Sequence, residues 1–361
     1  MKLTTTTKEF SFFDLYDRFI YDSHKGNRLQ PNGKRISAGT VNNYRYTKEL
    51  LQNFSKQKDF SLRIRPVKYL NKRELGTEKN YWKKFYRRFT DFLYHDCGHF
   101  DNYVGQNIKN IRVFFNYLNK EHVLGVGEFH KLFYVRKEEI AIFPLLPEEL
   151  NFLINNKEFE NTLSKRMKET KDFFVFGCTV ALRVSDLFAL KKINIREINE
   201  QNYLIVRSKK TDTESLIKLP PYAIEIISRY KRCKKLLPHF NKTNLNKYIK
   251  KLLELEGFTY PVQKTRGKRG RLLEIKATDN VTSRQMRFCD VASTHTMRRT
   301  AITTMLSLGM PEQIVRKISG HAPGSKEFYR YVLWAQTYQD QETERMFEKL
   351  REKQLRESLR A

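Results

Sequence analysis

Amphipathic helical spacing runs through the first third of this sequence and constrains its fold more than any other feature. Residues 9–21 mix apolar and polar side chains at helical spacing, and residues 78–94 do so again with many aromatic and basic side chains. Ser37 can cap another helix, whose apolar face is formed by Val41, Tyr44, Leu51 and Phe54. A fourth helix is predicted from about Gly105, with a face of Ile108, Ile111, Phe115 and Leu118. These patterns predict an N-terminal helical bundle.

The remainder of the chain is predicted to be mainly helical with a small sheet. Pro147 is followed by two glutamates, a good helix start because proline suits the first turn and acids suit the positive end of the helix dipole. Residues 203–207 and 215–219 are rich in β-forming side chains and flank a polar segment, which predicts a β-hairpin.

The chain is long enough for two domains, and its composition suggests where they divide. We expect a helical domain over residues 1–125, a linker over 126–143 and a second domain over 144–361. Within the second domain, residues 340–361 form a charged helical segment with apolar side chains near one stripe, namely Met346, Phe347, Leu350 and Leu355. This segment is either a solvated terminal helix or a helix that docks in trans on a neighbouring subunit.

The charge balance points to a polyanionic partner. The 361 residues include 69 Lys plus Arg against 40 Asp plus Glu, a formal net charge of +29. Such a field attracts nucleic acid, and the alternative is a merely soluble basic protein. A Lys- and Arg-rich insert at 262–287 either contacts DNA or forms a solvated loop.

Other features exclude several classes of protein. The sequence has no run of 18 apolar residues, so no membrane span is expected, and its N-terminus lacks the apolar core of a signal peptide. Its four cysteines lie far apart in the sequence, which favours free thiols in a reducing cytoplasm. His95, Cys97 and His99 cluster without a second set of ligands at suitable spacing, so no metal site is expected.

Three short segments of the second domain carry residues suited to phosphate chemistry. In the first, ALRVSDL, Arg183 is predicted on a helix among apolar side chains, with Asp186 on the same side. The alternative is a structural Arg–Asp pair. In the second, HTMR, His295 and Arg298 share one helical face and can both bind phosphate oxygens. The alternative is a surface pair on an ordinary amphipathic helix.

The third segment, residues 308–332, contains candidate nucleophiles. A helix is predicted to end at Gly320, followed by His321 on a turn and then by Tyr329 and Tyr331. A tyrosine hydroxyl attacks phosphorus if its proton is removed and the site is cationic. On a helix, residues two positions apart point about 200° away from each other, so only one of these tyrosines can face a given phosphate.

The order of these motifs resembles the catalytic signature of the tyrosine recombinase (phage integrase) family. The resemblance covers about residues 138–335, and the segment SAGTVNNYRYTKELLQNF resembles the family's core-binding domain. The motif HTMRRT at residues 295–300 resembles integrases of Bacteroidetes mobile elements. The resemblance implies a mainly α fold in which a SAM-like helical core-binding bundle and an α-rich catalytic domain with a small β-sheet form a C-shaped DNA clamp.

The resemblance also implies roles for particular residues. Arg183 and Arg298 would clamp the scissile phosphate, and His295 and His321 would hydrogen-bond to it and move protons. Lys210 would be the general acid for the leaving 5′-oxygen, with Lys209 as the alternative. Tyr331 would attack and form a 3′-phosphotyrosyl bond, so that neither metal, ATP nor another cofactor is needed. The expected DNA-binding residues of the first domain are Thr40, Asn43, Arg45, Lys109 and Arg112.

Three departures from the family pattern stand out. Ala181 occupies a position where the family often has glycine. The spacing from His321 to the tyrosine is off by one, which keeps Tyr329 open as the nucleophile; the sequence RYV favours Tyr331. The core-binding segment begins almost at once in this sequence, so recognition of simple core sites without arm sites is expected.

The expected function is therefore site-specific DNA recombination or integration by a mobile genetic element. The expected partners are double-stranded DNA, three further copies of the chain in a tetramer on paired sites, and a directionality or host architectural factor, in the cytoplasm at the nucleoid. Two alternatives stay open. One is a type IB topoisomerase, which shares the chemistry, and the other is a non-catalytic DNA-binding regulator.

Overall fold

The computed structural model describes residues 9–208, 213–279 and 282–358 and divides the chain into two compact units. The first unit comprises Met1–Ile140 together with Thr265–Glu274, and the second comprises Ala141–Lys264 together with Ile275–Ala361. Both are mainly helical with small antiparallel sheets, which confirms the predicted fold class. Within the described part of the chain, no helix is long and apolar enough to cross a membrane.

Over the residues that the structure describes, the first unit is built mainly from four α-helices. They are α1 (Phe12–Lys25), α2 (Ala38–Gln57), α3 (Lys72–Asp91) and α4 (Asp101–Lys120), and a short β1–β2 pair joins Phe10–Ser11 to Arg63–Ile64. Ser37 caps α2 by accepting a hydrogen bond from the Thr40 amide, as predicted. The helices bury an aromatic core that includes Phe12, Phe19, Phe54, Trp82, Phe85, Phe114 and Phe115.

The helix predicted over 78–94 has different ends in the structure. It begins at Lys72, because Asn71 and Glu74 form a reciprocal capping box there. It ends at Asp91, where the chain continues as a π-helical turn over Phe92–Asp96. Most of the predicted linker, 126–143, packs into this unit, since Val126 and Phe133 are buried in its core.

The second unit begins with a helical layer and a three-stranded sheet. Its helices are α5 (Pro147–Asn155), α6 (Lys157–Thr162), α7 (Lys165–Val180), α8 (Val184–Leu187), α9 (Pro221–Arg229) and α10 (Lys242–Leu255). Strands β3 (Ile195–Ile198), β4 (Gln201–Arg207) and β5 (Glu214–Lys218) pair antiparallel in sequence order. The predicted hairpin is confirmed as β4–β5, with β3 added because Ile195–Ile198 pairs with the outer edge of β4.

The basic insert forms two antiparallel hairpins rather than an irregular loop. Strands β6 (Thr265–Lys268) and β7 (Arg271–Glu274) make the first, and β8 (Lys276–Asp279) and β9 (Thr282–Gln285) make the second. The β6–β7 hairpin belongs to the first unit, where the buried Asp101 carboxylate accepts the amides of Arg269 and Gly270 at 2.9 Å each. Glu138, whose side chain is 6% exposed, accepts a hydrogen bond from Arg266 Nε at 2.9 Å.

The last part of the second unit supplies the elements of the candidate site. They are α11 (Phe288–Val291), α12 (Thr294–Ser307), α13 (Glu312–Ser319) and the long α14 (Lys326–Ser358). Helices α7 and α12 approach closely at Gly177, where a Cβ atom would lie 2.5 Å from the Met297 sulfur. This close packing brings the C-terminal part of α7 beside the first turn of α12.

Candidate active site

Arg183 lies in extended backbone between two helices, so its predicted position on a helix is wrong. Helix α7 ends at Val180, and its C-cap residue Ala181 adopts a left-handed conformation with φ +54° that turns the chain. Arg183 is then the N-cap residue of α8, with φ −70° and ψ 146°. Its Nη1 donates to the Ser208 hydroxyl at 3.1 Å, and that hydroxyl donates to the Asp186 carboxylate at 3.3 Å. The sequence predicts Arg183 and Asp186 on the same side of a helix. In the structure, the Ser208 hydroxyl bridges the two side chains.

Arg298 is the buried cation of the site, with only 7% of its surface exposed. Its Nη1 donates to the Ala181 carbonyl at 2.9 Å and its Nη2 to the Ser319 carbonyl at 2.7 Å. Burial, and then the neighbouring charge of Arg183, lower the pKa of Arg298 to about 10. The guanidinium stays charged at neutral pH, and two carbonyls fix its plane.

His321 adjoins this guanidinium and is neutral. Helix α13 ends at its C-cap residue Gly320, as predicted, and this glycine adopts a left-handed conformation. The His321 imidazole that follows lies with its Nε2 3.2 Å from Arg298 Nη2. Burial, followed by the charges of Arg298 and Arg183, lowers the pKa of His321 to about 3. The Ser319 hydroxyl donates to the Val315 carbonyl at 2.7 Å and lies 2.8 Å from His321 Nδ1. This network assigns the proton to Nδ1 and leaves the Nε2 lone pair toward Arg298.

The two candidate tyrosines occupy different environments on α14. Phe328 is fully buried and fixes the rotation of the helix. The half-buried ring of Tyr331 lies 5.9 Å from the His321 ring and packs beside Phe328. Tyr329 is 55% exposed. The structure therefore brings Tyr331, and not Tyr329, into contact with the arginine–histidine cluster.

His295 lies on the same helix as Arg298. His295 is an exposed residue in the first turn of α12, one helical turn before Arg298, and its amide donates to the Ser293 hydroxyl. Lys210 and its alternative Lys209 lie outside the described residues. They belong to the segment 209–212, between Ser208 and Thr213. The Ser208 amide donates a hydrogen bond to the Thr213 carbonyl at 2.8 Å.

The five DNA-binding candidates lie on two neighbouring helices of the first unit. Asn43 and Arg45 on α2 and Lys109 on α4 are exposed, while Thr40 and Arg112 are half-buried. The two helices are joined below this surface by a buried polar network in which the Thr47 hydroxyl bonds to the Asn107 and Asn110 side chains at 2.8 and 2.9 Å. The candidates therefore project from a fixed helix pair.

Two further residues lie at the site that the sequence patterns did not predict. Ser208 carries no recognisable motif, and only its place before Lys209 and Lys210 could have drawn attention to it. Arg299, which follows Arg298, is half-buried and interacts with Tyr331. Burial lowers the pKa of Arg299, whereas Tyr331 opposes that shift.

The sequence matches no protein-family model and no curated protein. Solved structures share its fold at low sequence identity. A lambda integrase tetramer bound to a Holliday junction is 12% identical with a TM-score of 0.58, over 91% of this chain and 78% of that one. The Tn1549 transposon integrase in complex with transposon right end DNA is 13% identical with a TM-score of 0.54, over 91% of this chain and 100% of that one.

A third similar structure is the XerH site-specific recombinase bound to its difH substrate. It is 12% identical with a TM-score of 0.52, over 92% of this chain and 88% of that one. At these identities the comparisons establish the fold, which this chain shares with these solved structures over about nine tenths of its length.

Proposed function

We propose that this protein is a site-specific DNA recombinase of the tyrosine recombinase family, which cleaves and rejoins DNA through a 3′-phosphotyrosyl bond to Tyr331. The main support for the proposal is a cluster of two arginines, a histidine and a tyrosine on a fold that solved recombinases share. Arg183, Arg298, His321 and Tyr331 come from separate segments of the second unit and meet around the end of α7.

The electrostatics of the cluster favour a phosphate ligand. Two guanidinium groups lie close enough that one lowers the pKa of the other, and the histidine beside them is kept neutral. A phosphodiester placed there would relieve this repulsion and accept hydrogen bonds from both arginines. The same donors would stabilise the charge that builds on the non-bridging oxygens during attack.

The proposed reaction is a pair of transesterifications. The Tyr331 oxygen attacks phosphorus and loses its proton to a neighbouring base, for which the exposed His295 is the candidate because the lone pair of His321 faces Arg298. The bond from phosphorus to the 5′-oxygen breaks, and Lys210 donates a proton to that oxygen. A 5′-hydroxyl of a second duplex then attacks the phosphotyrosine, and Tyr331 recovers its proton. One phosphodiester is kept throughout, so the exchange proceeds without ATP or metal.

The first unit would hold the DNA that the second unit cuts. Its exposed helix pair carries Asn43, Arg45 and Lys109, and the chain has a net charge of +29 that favours binding to a polyanion. The proposed assembly is a tetramer on two paired DNA sites, at the nucleoid, with a directionality or architectural protein as a further partner. The lambda integrase structure is a tetramer on a Holliday junction, which supports this assembly.

The proposal is tested by trapping the covalent intermediate. Bound sites are first selected from the inverted repeats that flank the gene and from a random duplex pool. Duplexes carrying a selected site and a nick beside it are then incubated with the protein and run on a denaturing gel. A protein–DNA adduct at one fixed position, followed by joining to a second duplex with the same site, is the expected result.

Two other outcomes would overturn the proposal. Relaxation of supercoiled plasmids that lack any selected site would indicate a topoisomerase. Specific binding without an adduct on any nicked substrate would indicate a non-catalytic regulator.

A further inference from the structure

Ser208 connects three parts of the candidate active site. It follows directly after strand β4, is 6% exposed, and its hydroxyl lies between two charged side chains. The hydroxyl accepts a hydrogen bond from Arg183 Nη1 at 3.1 Å and donates one to the Asp186 carboxylate at 3.3 Å. A single hydroxyl can do both at once, because it has one proton and two lone pairs.

The backbone of Ser208 adds a third connection. Its amide donates to the Thr213 carbonyl at 2.8 Å and closes the β4–β5 ladder beyond the Arg207–Glu214 pair. The four residues between them, 209–212, include Lys210, the proposed general acid. The same residue therefore contacts the phosphate-binding arginine and fixes the strand end from which the lysine segment leaves.

A second serine of this hairpin provides a matched comparison. Ser215 on β5 is also buried, at 3% exposed, and its hydroxyl donates to the Lys317 carbonyl of α13 at 3.1 Å. This bond holds the hairpin against the helix that precedes His321, through a backbone group. Ser208 differs from Ser215 in that its hydroxyl bonds to a cation and an anion.

We propose that Ser208 is a positioning residue for the cleavage reaction. Its hydroxyl holds the Arg183 guanidinium in the orientation that grips the scissile phosphate, and it couples that arginine to Asp186 and to the base of the lysine segment. This inference rests on the proposed function, since it assigns Ser208 a role in that reaction.

The role follows from the freedom that Arg183 would otherwise have. Arg183 stands in extended backbone outside any helix, so its long side chain is oriented by contacts and not by a regular element. Loss of the hydroxyl would leave the guanidinium charged but less fixed. Ground-state attraction to DNA would persist, while the geometry needed in the transition state would be lost.

The test compares two variants of equal shape, S208T and S208V, which differ only in the hydroxyl. Single-turnover cleavage is followed on a nicked duplex on which the wild type accumulates covalent adduct. S208V is expected to cleave about 10- to 100-fold more slowly than S208T, the value of one hydrogen bond to a charged group. DNA affinity should differ by less than about threefold between the two.

The matched control and a double-mutant cycle separate positioning from stability. S215A removes a buried hydroxyl from the same hairpin and should keep cleavage within about threefold of the wild type. In an R183A background, the S208V and S208T rates should converge, because the partner of the hydroxyl is gone. Adduct accumulates irreversibly on this substrate, so the slow R183A rates are measurable over hours.

The outcomes distinguish this inference from the proposed function. Wild-type adduct together with equal S208T and S208V rates would overturn the role of Ser208 and leave the recombinase proposal standing. An undiminished S208V defect in the R183A background would overturn the coupling to Arg183. No adduct from the wild type on any selected site would overturn both.

Discussion

The neutral histidine of the cluster makes the second unit sensitive to acid, and the effect can be worked out from the structure. Burial and the charges of Arg298 and Arg183 lower the pKa of His321 to about 3, whereas an unfolded histidine titrates near 6.5. Since the pKa is lower in the folded state, the unfolded state binds the proton more readily. His321 therefore contributes its full stability above about pH 6.5 and loses it as the pH falls toward 3.

The expected size follows from linkage. Each pH unit below 6.5 costs about 1.4 kcal/mol for a fully desolvated group, so the loss from pH 7 to pH 5 would approach ~2 kcal/mol. His321 is only half-buried, and solvent screening reduces this to about 1 kcal/mol. H321Q should therefore lose about 1 kcal/mol less than the wild type between pH 7 and pH 5.

The assay is urea unfolding of the wild type, H321Q and H239Q at the two pH values. H239Q removes an exposed histidine of the same unit and controls for the substitution itself. If all three proteins lose the same free energy of unfolding between pH 7 and pH 5, the described electrostatics of His321 are wrong.

Three further predictions concern the backbone, the DNA and the leaving group. Ala181 holds a left-handed conformation that costs a non-glycine residue about 1–2 kcal/mol, and its buried methyl returns about 0.8 kcal/mol, so A181G should raise the free energy of unfolding by up to about 1 kcal/mol. A fall in the free energy of unfolding, measured in thermal or urea unfolding, would contradict the strain. DNA affinity, measured by fluorescence anisotropy, should fall roughly a thousandfold between 50 and 200 mM salt if about six phosphates are neutralised, and a flat response would exclude an extensive phosphate interface. K210A should slow cleavage of ordinary DNA and recover on a bridging 5′-phosphorothioate, whose sulfur leaves without an acid; equal defects on both substrates would remove Lys210 from that role.

Local signals in the sequence predicted much of the fold. The Ser37 cap, the apolar faces of α2 and α4, the Pro147 helix start, the β4–β5 hairpin and the helix end at Gly320 all depend on neighbouring residues, and each is present. Helix periodicity also predicted that His295 and Arg298 lie on one helix, which is α12.

The features that the sequence did not predict depend on contacts between distant segments. The β6–β7 hairpin joins the first unit because Asp101 and Glu138, more than 120 residues earlier in the chain, accept its amides and Arg266. Arg183 leaves the helix because α7 ends at Val180, and the carbonyl of its C-cap residue Ala181 is held by Arg298 from α12. Ser208 was missed because its importance lies in two side chains, Arg183 and Asp186, that no local pattern connects to it.

The central claim is that Tyr331 forms the covalent bond to DNA, and one gel tests it directly. Tyr331 packs against His321, while Tyr329, two residues away on the same helix, is 55% exposed. On a nicked duplex that traps the intermediate, Y329F should still form the protein–DNA adduct and Y331F should form none, although both bind the duplex. An adduct formed by Y331F, or its loss in Y329F alone, would contradict the account.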